Sequence, residues 1–414
     1  MKGVKIFMKK KVKNIVFLSG DLNIRGGGPQ GYIANLKKGI EEIGCRDIAF
    51  ICHACTNKEL KKKLRLKKLL SCCVPIKKYR HLMRDWLINS DEETSEFGYG
   101  ESSLRYSEYS DELRGYEFDS ITCHGFLDAL FVHDYLKSIN SNAKLILMSH
   151  SPQPTSQEFY QSDIDNNRVN ANQHYEKWKE LEKIAFKECA DYLLFPSIES
   201  MEPYQANLDY FEYLLNNKNF LYMPTGCCQL YTELSQLQLR EKFDIKTKYI
   251  VSYIGRHNRI KGYDILKEIA LKILLNRNDV TFVIGGIASK TIRPLNHPRW
   301  KELGFVNPAE VLAMSDCFVL PNRQTYFDLV LLEALSIGCP VIASATGGNK
   351  TVYKKTNAID LYDDIDGCVD KIDSYLNLKS EEKEERRKKV LYAYNMNYTI
   401  EEFSKRYIEL INGV

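Results

Sequence analysis

The chain has 414 residues, of which 44% are hydrophobic and 27% charged, with 58 Lys+Arg against 54 Asp+Glu. That length predicts two to four domains at roughly 100–200 residues each. The net charge of +4 excludes a basic polyanion-wrapping protein and an acidic disordered one. No apolar run approaches the ~18 residues of a membrane span. Residues 1–16 are basic but lack the apolar core and cleavage site of a secretory signal. A soluble, cytoplasmic, multi-domain protein is expected.

The first predicted strand is Asn14–Ser19 (NIVFLS), followed by the glycine-rich loop GDLNIRGGGPQG. Ile33, Leu36, Ile40 and Ile43 then recur at helical spacing up to Gly44, a helix stop. Asp47–Cys52 is the next strand, and SITCH (120–124), KLILMSH (144–150), DYLLFPS (191–197) and FLYMP (220–224) continue the series. The pattern restarts with KYIVSYIGR (248–256), a helix from about Asp264, and the strands VTFVIGG (280–286), CFVLP (317–321) and PVIAS (340–344). Strands alternating with helices predict parallel sheets covered on both faces. The class is α/β with two doubly wound halves. The boundary falls in the polar stretch 226–247.

Two charge blocks interrupt the first half. Residues 58–80 carry ten Lys/Arg against Glu59 alone, and Leu60, Leu64 and Leu69 could form a stripe beside them. This segment reads either as a basic amphipathic helix on an anionic membrane surface or as a solvated helix face. Residues 91–119 carry ten acids against Arg105 and Arg114 and read as an exposed insertion. Nucleic-acid binding is not expected, since no aromatics interleave with the basic run. The twelve cysteines sit in apolar runs or adjacent pairs and read as reduced core thiols. Cys52, Cys55, Cys72 and Cys73 lack zinc-site spacing.

In doubly wound folds ligands bind in loops that follow strands. Two such loops carry chemistry. Gly255–Gly262 (GRHNRIKG) joins a strand to a helix. Its Arg256 and Lys261 read as a diphosphate clamp, helped by backbone donors and the helix dipole, or as two surface cations. Ser315–Gly348 carries a strand, the polar loop Asn322–Asp328, and an apolar helix in which Glu333 is the single charge. An acid in an apolar helix needs a partner. A ribose diol would serve; the alternative is a glutamate facing solvent. The D-x-D string Asp364–Asp366 opens a polar helix and reads as structural, not as a metal site.

Together these segments resemble glycosyltransferase family 4, the retaining nucleotide-sugar transferases of GT-B fold. The match runs nearly position by position from Ser315 to Gly348. Weaker similarity extends through the opening strand and glycine loop, CHGFLDAL, LILMSHS, ADYLLFPSIES, LYMPTG and the C-terminal YTIEEFSKRYIELI. The resemblance implies two Rossmann-like domains facing across a cleft. The acceptor-side domain would span 1–225, with a crossover helix at 398–414. The donor domain would span 226–397.

It implies hexosyl transfer, with retention, from a nucleotide-diphosphate sugar, UDP by family frequency. The acceptor would be a glycan, a lipid-linked or a protein-linked molecule in surface polysaccharide or glycoconjugate synthesis. No metal or other cofactor is expected. The enzyme would be cytoplasmic, with peripheral docking on the inner face of the plasma membrane through 58–80. The resemblance assigns the reaction to His150, Arg256, Lys261 and Glu333. It assigns the donor to Gly26, Gly27, Gly28, Gly255, Phe305, Val306, Thr325, Tyr326, Phe327, Asp328 and Leu329, with the base near Gly304. His124 and Arg25 are candidate acceptor or sugar contacts.

One departure matters. Eight residues before Glu333, where the family commonly has a glutamate, stands Thr325, and the loop reads TYFDLVLLE. Asp328 could supply the carboxylate. Two other readings follow: a non-catalytic glycosyltransferase-like subunit that binds glycan or a partner protein, and another GT-B enzyme such as an epimerase or phosphorylase.

Overall fold

The structure, a computed structural model, describes residues 9–23, 28–54, 108–165, 167–168, 170–287 and 292–414. The charge blocks at 58–80 and, before Glu108, at 91–107 lie outside them, as do Cys55, Cys72 and Cys73. The chain forms two compact units. One comprises Met1–Phe195, Asn207–Leu221 and Tyr407–Val414; the other, Pro196–Ala206 and Tyr222–Arg406. The compact units place 196–206, 222–225 and 398–406 in the second unit, where the expected domains have them in the first.

The first unit is built on a six-stranded sheet of order β2-β1-β3-β4-β5-β6. The strands are β1 (Lys10–Leu18), β2 (Ile48–Cys52), β3 (Tyr116–Cys123), β4 (Lys144–Met148), β5 (Tyr192–Phe195) and β6 (Asn219–Tyr222). The pairings from β2 through β5 are parallel. Strand β1 starts four residues before the predicted position, because Lys10–Val12 pair with Tyr116–Phe118. Its last five residues are buried on both faces, as continuous apolar runs in parallel sheets are.

The helix Pro29–Ile43 starts on a proline, whose missing N–H suits the first turn. It ends at Gly44, φ 75°, whose N–H and that of Cys45 bond back to Glu41 and Ile40. Ile33, Leu36 and Ile40 are buried. Ile43 is exposed, since the last turn runs past the core.

Asn14 anchors a polar network inside this unit. Its Nδ2 donates to Ser120 Oγ at 2.9 Å and Thr122 Oγ1 at 3.2 Å. The Tyr407 hydroxyl donates to Asn14 Oδ1 at 2.7 Å and meets Thr122 Oγ1 at 2.9 Å. All four side chains are buried, so each polar atom needs such a partner. This network ties the end of the last helix (Ile400–Asn412) to the sheet.

The second unit holds a parallel sheet of order β12-β11-β10-β7-β8-β9. The strands are β7 (Tyr249–Ile254), β8 (Val280–Gly285), β9 (Trp300–Gly304), β10 (Cys317–Leu320), β11 (Val341–Ser344) and β12 (Asp360–Tyr362). Central strands β7, β8, β10 and β11 are apolar runs almost wholly buried. The helix Tyr263–Asn276 packs Leu266, Ile269, Ala270 and Ile273 into one core with β7 and β8. The helix Leu329–Ser336 packs Leu331, Leu332 and Leu335 into a second core with β10 and β11.

Residues 196–206 lie along the helix Gly347–Thr356. Glu202 pairs with Lys350 at 2.7 Å and accepts the Gly347 N–H at 3.2 Å. Glu199 pairs with Lys354 at 2.7 Å, and the Thr351 hydroxyl donates to Ser197 or Glu199. Glu202 thus sits at a positive helix end, where a carboxylate is stabilised.

Asp364 caps the helix Ile365–Leu376 by accepting the Gly367 N–H at 2.7 Å. The nine described cysteines are free, six of them buried. No helix among the described residues is long and apolar enough to cross a membrane.

Candidate functional site

In the second unit the candidate residues gather on the loops after β7 and β10. The loop after β7 turns sharply into its helix at Gly262, φ 66°. A Cβ there would lie 1.7 Å from the Pro321 carbonyl oxygen, so the loop after β7 packs directly on the end of β10. Only glycine fits both the conformation and the space. Arg323 bridges the same two loops: its N–H groups bond the Arg259 carbonyl at 2.7 Å and the Asp264 carboxylate at 2.6 and 2.8 Å.

This packing brings Lys261 to Asp328. The Lys261 ammonium donates to Asp328 Oδ1 at 2.6 Å, and the two side chains are only 16% and 13% exposed. Asn322 Nδ2 donates to the other carboxylate oxygen. Burial pushes the Asp328 carboxyl up, but Lys261 and Asn322 outweigh it and hold it below the ordinary aspartate range. Asp328 is therefore ionised at neutral pH. The Thr325 hydroxyl lies near enough to help lower it, yet meets no partner at hydrogen-bond geometry and is fully buried. Arg256 is exposed. Of the two cations read as a clamp, one faces solvent and the other holds an aspartate.

Tyr326 and Phe327 are buried, Phe327 6.2 Å from the Tyr398 ring and Tyr326 6.3 Å from that of Tyr204. Behind them the Gly347–Gly348 backbone presses on the loop: a Cβ at Gly347 would fall 1.9 Å from the Thr325 carbonyl oxygen. Leu329 opens the helix that carries Glu333.

Glu333 is partly buried, and its carboxyl makes no hydrogen bond or ion pair among the described residues. Burial alone raises its pKa to about 7, so it holds its proton far more readily than an exposed glutamate.

Gly255 and Gly286 meet backbone to backbone at the ends of β7 and β8. Phe305, after β9, is 72% exposed, and Val306 packs against Gly285.

In the first unit, His124 follows β3 and His150 lies just beyond β4. His124 Nδ1 and His150 Nε2 are 2.7 Å apart, with the rings stacked at 5.0 Å. Tyr32 packs against both, 5.5 and 4.8 Å away. Burial depresses His124 to about 3 and holds His150 well below the ordinary histidine value, with His124 lowering it further. Both imidazoles are neutral, so one ring donates its N–H to the other. The remaining nitrogen of His124, Nε2, is buried without a partner. The end of β1 is fixed by Asp128, which accepts the Ser19 N–H at 3.0 Å and the Ser19 hydroxyl. Gly28 begins the first helix at φ 65° with open space around it. Arg25, Gly26 and Gly27 lie outside the described residues.

Some residues that shape these sites carry no signal in the sequence. His257, beside Arg256, stacks on Tyr263 at 4.2 Å and lies 3.7 Å from Glu302. Glu302 also accepts from the Trp300 N–H at 2.8 Å and from the Tyr263 hydroxyl. Burial lowers His257 although Glu302 opposes it. Asn322 and Glu202 were likewise not among the candidates. No group of three or more metal-ligating side chains is assembled among the described residues.

Two six-stranded parallel sheets, each flanked by helices and each carrying its polar loops after the strands, define the GT-B architecture. Residues 248–377 match the family of glycosyl transferases group 1. The chain is 27% identical over 143 residues to the alpha-D-kanosaminyltransferase of Streptomyces kanamyceticus, covering 31% of this chain and 36% of that one. It is 24% identical over 247 residues to the glycogen synthase of Clostridium botulinum, covering 56% and 49%. The matches thus span about half the length of these relatives or less. Among solved structures, the Anabaena protein HepE in complex with UDP and glucose superposes with a TM-score of 0.63 at 14% identity, over 98% of this chain and 100% of that one.

Proposed function

We propose that the chain is a retaining glycosyltransferase that moves a hexosyl unit from a UDP-sugar to a glycan, lipid-linked or protein-linked acceptor. The observation that carries this is Glu333: a partly buried carboxyl with no hydrogen bond or ion pair among the described residues, inside the segment matching the glycosyl transferases group 1 family. A ribose diol supplies the two hydroxyl donors it lacks. The uracil lies against the backbone at Gly304–Val306, where the exposed Phe305 ring offers apolar surface. UDP is favoured because HepE, a neighbour in fold, was solved with UDP and glucose.

Chemistry requires stabilising the charge that grows on the leaving diphosphate. Arg256, Lys261 and the N-terminal amides of the helix Leu329–Ser336 serve that end. Gly255 and the loop Thr325–Leu329 shape the donor pocket. On the first unit, His150 contacts the transferred sugar, and Gly26–Gly28 let backbone approach the phosphates. His124 and Arg25 contact sugar or acceptor. A peripheral membrane role for residues 58–80 belongs to the same proposal. It predicts binding to anionic liposomes at low salt that weakens when Lys61, Lys63 and Lys67 are neutralised.

The test is calorimetry with UDP, GDP, ADP and their glucose conjugates, on wild type and Glu333→Ala. Selective UDP binding lost in the variant supports the proposal; no binding of any nucleotide at millimolar concentration overturns it. A second reading, a non-catalytic subunit, is favoured by Thr325, uncharged and fully buried. It predicts no nucleotide binding at all.

A further inference from the structure

Lys261, one of the two cations read as a diphosphate clamp, is already paired with a carboxylate. Its ammonium lies 2.6 Å from Asp328 Oδ1, and both side chains are mostly shielded from water. Asn322 holds the second carboxylate oxygen. Asp328 is also the residue just before the helix Leu329–Ser336, so its negative charge stands at the helix end whose amides would otherwise attract an anion. The Tyr253 phenol, whose hydroxyl donates to the Arg256 carbonyl at 2.9 Å, is the other titratable group near this carboxylate. Among the described residues no second cation is bonded to Asp328. The carboxylate is thus an anion inside the anion-binding loop.

Resting on the donor-site reading above, we propose that Asp328 is a specificity-determining residue that lets the site tell the nucleotide-sugar from the nucleoside diphosphate. The two ligands differ in charge. A nucleotide-sugar carries about two negative charges; the nucleoside diphosphate left after transfer carries about three at neutral pH, because its terminal phosphate is freed. A carboxylate beside the phosphate-binding lysine repels both, and the more charged one more. It also competes for the same ammonium. Asp328 therefore weakens the product's hold on the site relative to the donor's.

The experiment compares wild type, Asp328→Asn and Asp328→Glu, each titrated calorimetrically with UDP and with UDP-glucose. Asparagine keeps the shape and an acceptor for Lys261 while removing the charge. Expected is a gain of about tenfold or more in UDP affinity for Asp328→Asn, a smaller gain for UDP-glucose, and wild-type discrimination in Asp328→Glu. Damage to the fold only weakens binding, so a selective gain is not a result that misfolding imitates; melting curves of each variant accompany the titrations. Equal changes for the two ligands, or weaker UDP binding by a variant that melts normally, overturn the inference and leave the donor site standing. Absence of binding by wild type and Asp328→Asn alike overturns the donor-site reading and this inference with it.

Discussion

The His124–His150 pair of the first unit and the Lys261–Asp328 pair of the second are both buried and both separated by less than 3 Å. One pair is neutral; in the other the Asp328 carboxylate keeps its charge. Burial acts on His124, His150 and Asp328 in the same sense, against charge. The histidines have no counter-charge to resist it and give up their protons. Lys261 offsets the desolvation of Asp328, and Asn322 satisfies the remaining carboxylate oxygen. Whether a buried site holds charge is decided here by the partner, not by depth.

The sharpest break of that comparison is mechanical. Gly262→Ala drives a methyl into the Pro321 carbonyl at a positive φ. It should cost about 3 kcal/mol or more and separate the Lys261 loop from Asp328. A melting curve and loss of UDP binding check it. Lys261→Ala leaves Asp328 buried and unpaired and should cost about 3 kcal/mol. Lys261→Met/Asp328→Asn, which removes both charges, should restore most of that stability while still failing to clamp a diphosphate.

Glu333 sharpens the contrast as a carboxyl with no partner. Its folded pKa of about 7 lies above the unfolded value near 4.5. Stability is therefore lost as pH rises between those values, by about 3 kcal/mol in all. Glu333→Gln should melt higher than wild type at pH 8 and equally at pH 4.

The histidine pair runs the other way. With His124 depressed to about 3, its contribution is complete above pH 6.5 and is lost as pH falls. One such histidine costs about 2 kcal/mol between pH 7 and pH 5. Denaturant titrations of His124→Asn at those two pH values should show a smaller loss than wild type.

The central strands were legible because parallel strands buried on both faces read as unbroken apolar runs. SYI, FVI, CFVL and VIA needed no tertiary context. Edge strands β9, WKELG, and β12, Asp360–Tyr362, carry no such run: most of their residues are only partly buried. The segment Ser315–Gly348 was legible through its resemblance to a known family, and Glu333 as the single charge in an apolar helix. What spacing does not reveal is pairing across loops. Nothing in the sequence says that Lys261 meets Asp328, 67 positions away, or that His257 turns inward onto Tyr263 while its neighbour Arg256 turns out. The contact depends on the glycine that lets two backbones touch.

The segment 196–206 has a consequence for anyone handling the gene. Because the compact units change hands after residues 195, 206, 221 and 406, neither is a contiguous stretch of polypeptide. A fragment ending near 225 carries Glu199 and Glu202 away from Lys354 and Lys350, and it lacks the Tyr407 hydroxyl that Asn14 accepts. Independent expression of the halves should yield two sticky, incompletely folded pieces. Their co-expression should recover soluble material through those same partners, a fragment complementation written into the order of the chain.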